Sequence, residues 1–277
     1  MPEKSLEMIY CVCYLLAFLF EIAKITAMRQ KIYTVLPAAV AAAGFILHSS
    51  VLYQGHIITR LGRSCINPIS PAEMFFLVTA WGLILMYLYW SLVRPKIPFG
   101  LILLPLAVTF IFAGFLLHSE QTTSAVQESP PFLKMLHTVM LFLTFFSITL
   151  GSAGGLLYFL QDYMLQKHFI KNTVKLPTLE WSVAVCRESV HASAVFLGIG
   201  VLTGIYLSAG QHTAILWYDP LILGSLVLFP FLCVFAALSL SNFGKSKGRF
   251  IAAATVIVFL FLSAVLGFGI AAGIAHW

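Results

Sequence analysis

The sequence predicts an all-α integral membrane protein: a bundle of eight transmembrane helices with both termini on the outer side. Three observations carry that prediction. Of 277 residues, 60% are hydrophobic and only 9% charged, whereas about a quarter of a soluble domain is charged; the mean hydropathy is +0.97. The apolar residues gather into runs of about 20, the length a helix needs to cross the hydrocarbon core. The basic residues are partitioned as well. The first, third, fifth and seventh connectors and their margins hold Lys24, Arg29, Lys31, Arg94, Lys96, Lys167, Lys171, Lys175, Arg187, Lys245, Lys247 and Arg249, twelve of the sixteen lysines and arginines. The other side has Lys4, Arg60, Arg63 and Lys134, so the positive-inside rule puts both termini outside.

The expected spans are 8–28, 33–54, 71–92, 97–118, 135–162, 188–208, 219–241 and 250–275. The connectors are short, and residues 1–277 read as a single membrane domain. The spans must be helices, because a lipid-exposed segment has to satisfy its own backbone hydrogen bonds. Span one lacks the basic n-region and small-residue cleavage site of a signal peptide and reads as a retained helix; Glu21 and Lys24 near its inner end are spaced to pair at i,i+3. Span three opens on Ser70-Pro71-Ala72-Glu73, a capping box with proline at the first helical position. Spans four and seven contain Pro105 and Pro230, each of which removes a backbone donor and should kink its helix. In span five, Gly151 and Gly155 form a GxxxG preceded by Ser147, a small face for close helix packing. The inner connector 163–187, with Lys167, His168, Lys171 and Lys175 followed by Leu176-Pro177-Thr178-Leu179-Glu180-Trp181, could form a short helix lying in the interface. Asp219-Pro220 caps span seven.

Several functional classes are excluded. The formal charge of +6 is scattered among short loops and forms no stripe of the kind that binds nucleic acid. The five cysteines include no CxxC or CxxCH, so there is neither a dithiol motif nor a covalent haem-attachment site. No GxSxG, HExxH, Walker loop or dinucleotide fingerprint occurs.

The histidines are the most suggestive residues. Six of eight, His48, His56, His118, His137, His212 and His276, fall at or near the outer face. Neutral imidazole is the commonest protein ligand for transition metals, so a one-sided set suggests a metal or haem site. His137 begins span five and His276 ends span eight; opposed on separate helices, two such imidazoles could ligate a haem iron above and below its plane. The alternative is a pair of interfacial histidines bonded to water or headgroups. His48 lies inside span two, where an ionisable residue is a functional candidate by default, or a neutral histidine bonded to a neighbouring helix. His56, His118 and His212 read as solvated, and His191 as a packing residue. Trp217 and Asp219 lie between the candidate ligands, in Leu216-Trp217-Tyr218-Asp219-Pro220. That run could stack a porphyrin or form an ordinary interfacial aromatic belt and cap.

The order of these pieces resembles the membrane proteins of cytochrome c assembly, the CcsA/ResC type, and their HemX-like relatives. The similarity covers nearly the whole chain. It rests on His48, Pro68 with Ser70-Pro71-Ala72-Glu73, the helix led by His137, Leu157-Tyr158-Phe159-Leu160-Gln161, Leu176-Pro177-Thr178-Leu179-Glu180, Thr203-Gly204 and the terminal Ala275-His276. The resemblance implies non-covalent haem b near the outer face of a bacterial-type cytoplasmic (inner) membrane. Its axial ligands would be His137 and His276, with Trp217 and Asp219 in the outer pocket and His48 as the family's transmembrane histidine. It implies an assembly factor rather than a self-sufficient enzyme, one that hands haem to a membrane partner of the assembly system or to apocytochrome c. The tryptophan-rich segment is reduced here, and span seven with its following loop has no histidine. Those departures add weight to the alternative branch, a HemX-like regulator of tetrapyrrole synthesis working through the inner connector.

Overall fold

The computed structural model describes residues 2–26, 32–60, 71–95, 97–116, 131–166, 177–210, 220–240 and 247–271. Among them are eight α-helices and no strand: α1 (Pro2–Thr26), α2 (Ile32–Arg60), α3 (Pro71–Val93), α4 (Gly100–Leu116), α5 (Pro131–Gln166), α6 (Leu179–Gly210), α7 (Pro220–Leu240) and α8 (Lys247–Ala271). Six contain stretches long and apolar enough to cross a membrane, namely Val35–Gln54, Glu73–Val93, Phe132–Gln166, Leu179–Ala209, Ile222–Leu240 and Gly248–Gly267, while Gly100–Leu116 is a shorter apolar helix. Together they suggest a multi-pass membrane protein.

The helices form two compact units, α1–α4 and α5–α8. In the first, α1 packs on α2, α2 on α3, α3 on α4 and α4 back on α1. Within this ring α1 is sided opposite to a helix of a soluble bundle. The inward stripe of α1 is Tyr10, Tyr14, Ala17, Glu21 and Lys24, all buried, while Met8, Val12, Leu15, Leu16, Leu19 and Ile22 point outward. The 3–4 residue spacing of each set puts it on its own helix face. Polar groups inside and aliphatic ones outside is the arrangement a hydrocarbon solvent demands. α2 and α3 are joined by the Trp81 indole, which donates to Ser49 Oγ at 2.9 Å and stacks on Phe45 with ring centroids 5.0 Å apart.

In the second unit the buried core runs through Ile148 of α5, Cys186, Val190 and Leu197 of α6, Leu228, Leu232 and Phe235 of α7, and Ile251 and Val258 of α8. Apolar area between helices adds little in lipid, so close approach has to supply the attraction. Gly155 shows how close: a Cβ there would lie 2.8 Å from the Ala252 carbonyl oxygen and 2.9 Å from Val256 Cγ2. At Gly151 it would meet Ser189 Cβ and Thr255 Cγ2, both at 2.8 Å, and the Cys186 thiol donates to the Gly151 carbonyl at 3.3 Å. The small face expected of span five is thus where α5 meets α6 and α8.

Helix boundaries follow local chemistry. α3 and α7 begin at Pro71 and Pro220, as the cap signals indicate. Pro105 and Pro230 lie inside α4 and α7 as expected, and Pro37 lies inside α2. The inner connector differs from expectation. Residues 179–187 are not a separate interfacial helix but the opening turns of α6. Thr178 is the reason: its hydroxyl oxygen accepts from the Trp181 amide at 3.2 Å and its carbonyl from Ser182 N at 3.1 Å, while Glu180 complements the positive end of the helix dipole.

Candidate functional site

His137 sits in the second turn of α5, and α6 determines what its ring can do. Nδ1 lies 2.9 Å from the Gly200 carbonyl oxygen and 3.3 Å from Thr203 Oγ1. A carbonyl only accepts, so Nδ1 carries the hydrogen. In the neutral imidazole Nε2 is then the atom with the free lone pair, and among the described residues it has no hydrogen-bond partner. The ring rests against Gly204, where a Cβ would be 3.0 Å from Cε1 and 3.4 Å from Nδ1. A histidine whose second nitrogen donates to a backbone carbonyl is the usual form of a metal-ligating imidazole. The His137 imidazole thus has the donor form that ligation of a metal through Nε2 requires.

The same end of this unit gathers the other helix ends that matter. Leu141 of α5 meets Gly200 of α6, Gly198 of α6 meets Phe229 of α7, and Gly224 of α7 meets Val265 of α8. These pairings run neighbouring helices antiparallel. The start of α5, the end of α6, the start of α7 and the end of α8 therefore share one end with His137. Trp217, Asp219 and His276 lie outside the described residues, as do His118, His168 and His212. The segments that contain Trp217, Asp219 and His276 continue from Gly210, Pro220 and Ala271, described helix ends at this same end. Among the described residues no group of three or more His, Cys, Asp or Glu side chains is placed to hold a metal ion.

His48 belongs to the first unit and is fully buried. Its Nδ1 lies 3.2 Å from the Tyr14 hydroxyl of α1, and its ring stacks on Tyr10 at 4.5 Å with the planes 5° apart. The bond to a neighbouring helix that the sequence allowed is therefore present. Nε2, however, is buried without a partner, which costs on the order of 1–3 kcal/mol unless something completes it. Sequence reasoning gave no sign of the two tyrosines. They are invisible until α1 and α2 are set in register.

Three further features lie elsewhere in the two units. Glu21 and Lys24 do pair, Nζ to Oε2 at 3.4 Å, both buried, and Tyr87 of α3 donates its hydroxyl to Glu21 Oε1 at 2.9 Å. His191 is a packing residue as expected: its Nε2 is 2.9 Å from Ser239 Oγ and 3.3 Å from the Ala236 carbonyl of α7. At the opposite end of the second unit from His137, an open cleft of about 340 Å³ is lined by Tyr158, Leu179, Glu180, Val183, Ala184, Arg187 and Gly248.

No family model, curated protein or solved structure matches the chain.

Proposed function

We propose that this protein is an eight-span haem-handling membrane protein of cytochrome c biogenesis, with both termini outside the cytoplasmic membrane. It holds non-covalent haem b near the outer face for delivery to a membrane partner or apocytochrome c. The observation that carries the reading is His137, whose Nδ1–H donates to the Gly200 carbonyl and leaves Nε2 free to ligate. His276 would supply the other imidazole, Trp217 and Asp219 would border the porphyrin, and His48 is a further, buried imidazole in the first unit. Haem bound there would supply an iron for His137 and His276 to hold. The chain itself contributes orientation: α6 fixes the His137 ring at its Nδ1 edge. Reductant for attachment chemistry comes from a separate partner, because the sequence has no dithiol motif.

The test is spectroscopic. The full chain purified in detergent should carry a Soret band that is lost when His137 and His276 are both replaced by alanine. A wild-type protein without the band, or an unchanged band in the double variant, defeats the proposal.

The cleft between Tyr158, Glu180, Arg187 and Gly248 favours a second reading, a HemX-like regulator of tetrapyrrole synthesis that docks a partner at the inner end. Gene deletion separates the two. Loss of c-type cytochromes with normal haem supports assembly; altered haem precursors with normal cytochromes c supports regulation.

A further inference from the structure

One imidazole is met by three residues of α6 at spacings i, i+3 and i+4, which share a helix face. Gly200 presents its carbonyl to His137 Nδ1 at 2.9 Å, and Thr203 presents Oγ1 to the same nitrogen at 3.3 Å. At Gly204 the missing Cβ leaves the space that the ring edge occupies. Thr203 Oγ1 also lies 2.9 Å from the carbonyl oxygens of both Ile199 and Gly200. Its one proton goes to either carbonyl, so a lone pair of the hydroxyl remains for the Nδ1–H. The acceptor is held in place by the helix and by burial, with Thr203 only 9% exposed.

We propose that Thr203 and Gly204 are positioning residues for His137 as an Nε2 ligand. This rests on the reading that His137 ligates haem. Gly204 sets the depth of the ring against α6. Thr203, with the Gly200 carbonyl, sets its rotation and keeps hydrogen on Nδ1. Two acceptors on one N–H draw that hydrogen outward and make Nε2 the stronger donor to a metal. Haem held here would meet a stronger nitrogen donor, which would favour the ferric over the ferrous state, so Thr203 would lower its potential. The same geometry gives a physical reason for a threonine–glycine pair on this helix face. Threonine contributes the acceptor and glycine the clearance, and neither substitutes for the other.

The experiment uses the full chain in detergent with added haem. Haem affinity, the absorption spectrum and the midpoint potential are measured for wild type, Thr203→Val, Thr203→Ser, Gly204→Ala and His137→Ala. Valine keeps the shape of threonine without the acceptor; alanine at 204 places a methyl 3.0 Å from Cε1. The expected results are a roughly tenfold loss of haem affinity in Thr203→Val and Gly204→Ala, within the range typical of groups that orient a metal ligand. Thr203→Val should also weaken the ferric preference about tenfold, a positive shift of about 59 mV for a one-electron couple. Thr203→Ser should recover both to within about threefold, and thermal unfolding of Thr203→Val should match wild type. Wild-type affinity and potential in Thr203→Val and Gly204→Ala, alongside loss of haem in His137→Ala, overturns the positioning role and leaves the ligand reading intact. Undiminished binding in His137→Ala overturns both.

Discussion

Replacing Lys24 with methionine should destabilise the first unit strongly, and removing the charge of Glu21 as well should largely restore it. Glu21 and Lys24 are 1% and 4% exposed, and the Tyr87 hydroxyl on α3 lies 2.9 Å from Glu21 Oε1. Removing one partner of a buried pair costs about 3–5 kcal/mol, because an uncompensated charge is left behind. Lys24→Met should fall at the lower end, about 3 kcal/mol, since Tyr87 still donates to the carboxylate. In the double variant Glu21→Gln/Lys24→Met no charge remains, the glutamine oxygen can still accept from Tyr87, and stability should return to within about 1 kcal/mol of wild type, as often occurs when a whole buried pair is replaced. Tyr87→Phe should cost about 1.5–3 kcal/mol, the usual value of a hydrogen bond to a charged group. Reversible unfolding in mixed micelles, titrated with denaturing detergent, measures the three variants against wild type. A Lys24→Met protein within 1 kcal/mol of wild type, or a double variant no better than the single one, would refute the argument.

Other perturbations probe the remaining contacts. Gly155→Leu forces a side chain into the Ala252 carbonyl, 2.8 Å from the new Cβ, and should cost at least about 3 kcal/mol, the upper end for overpacking. At Gly267 a Cβ would meet nothing within 4 Å among the described residues, and Gly267→Leu should shift thermal unfolding by no more than about 0.5 kcal/mol; equal effects at the two sites would remove close packing as the explanation. Tyr14→Phe leaves His48 with both ring nitrogens unpartnered and should cost about 1–3 kcal/mol; an unfolding midpoint identical to wild type would show that this bond carries no stability. Thr178→Ala should fray the first turn of α6 by about 1 kcal/mol, seen as faster amide exchange at Trp181 and Ser182; unchanged exchange there would mean the cap is not what starts the helix.

What the sequence revealed was whatever depends on one element at a time. Pro71 and Pro220 mark helix starts because proline is tolerated only where no intrahelical donor is needed. Glu21 and Lys24 pair because three residues make about one turn. Gly151 and Gly155 announce a close approach, though not to which helices. The start of α6 at Leu179 was missed because Glu180, Arg187 and Glu188 make the segment look like a connector; Thr178 just after Pro177 was the available signal. Relations between elements were out of reach. That His137 meets Gly200, Thr203 and Gly204 depends on how α5 slides along α6. Nothing in either helix alone fixes that offset, and the same holds for Tyr10 and Tyr14 around His48, and for Tyr87 beside Glu21.

The division into α1–α4 and α5–α8 also orders events in time. The first unit comprises residues 1–123 and 165–176, so all four of its helices leave the ribosome before any helix of the second. At a synthesis rate of roughly 5–20 residues per second, the remaining half of the chain takes on the order of ten to thirty seconds to appear. During that interval the Tyr14–His48 and Tyr87–Glu21 bonds can already form, whereas His137 emerges well before the stretch of α6 that fixes its ring. Newborn chains should therefore acquire the buried ion network first and an oriented His137 ring last, and pulse-labelled ribosome-bound intermediates ending near residue 165 are where that order can be observed.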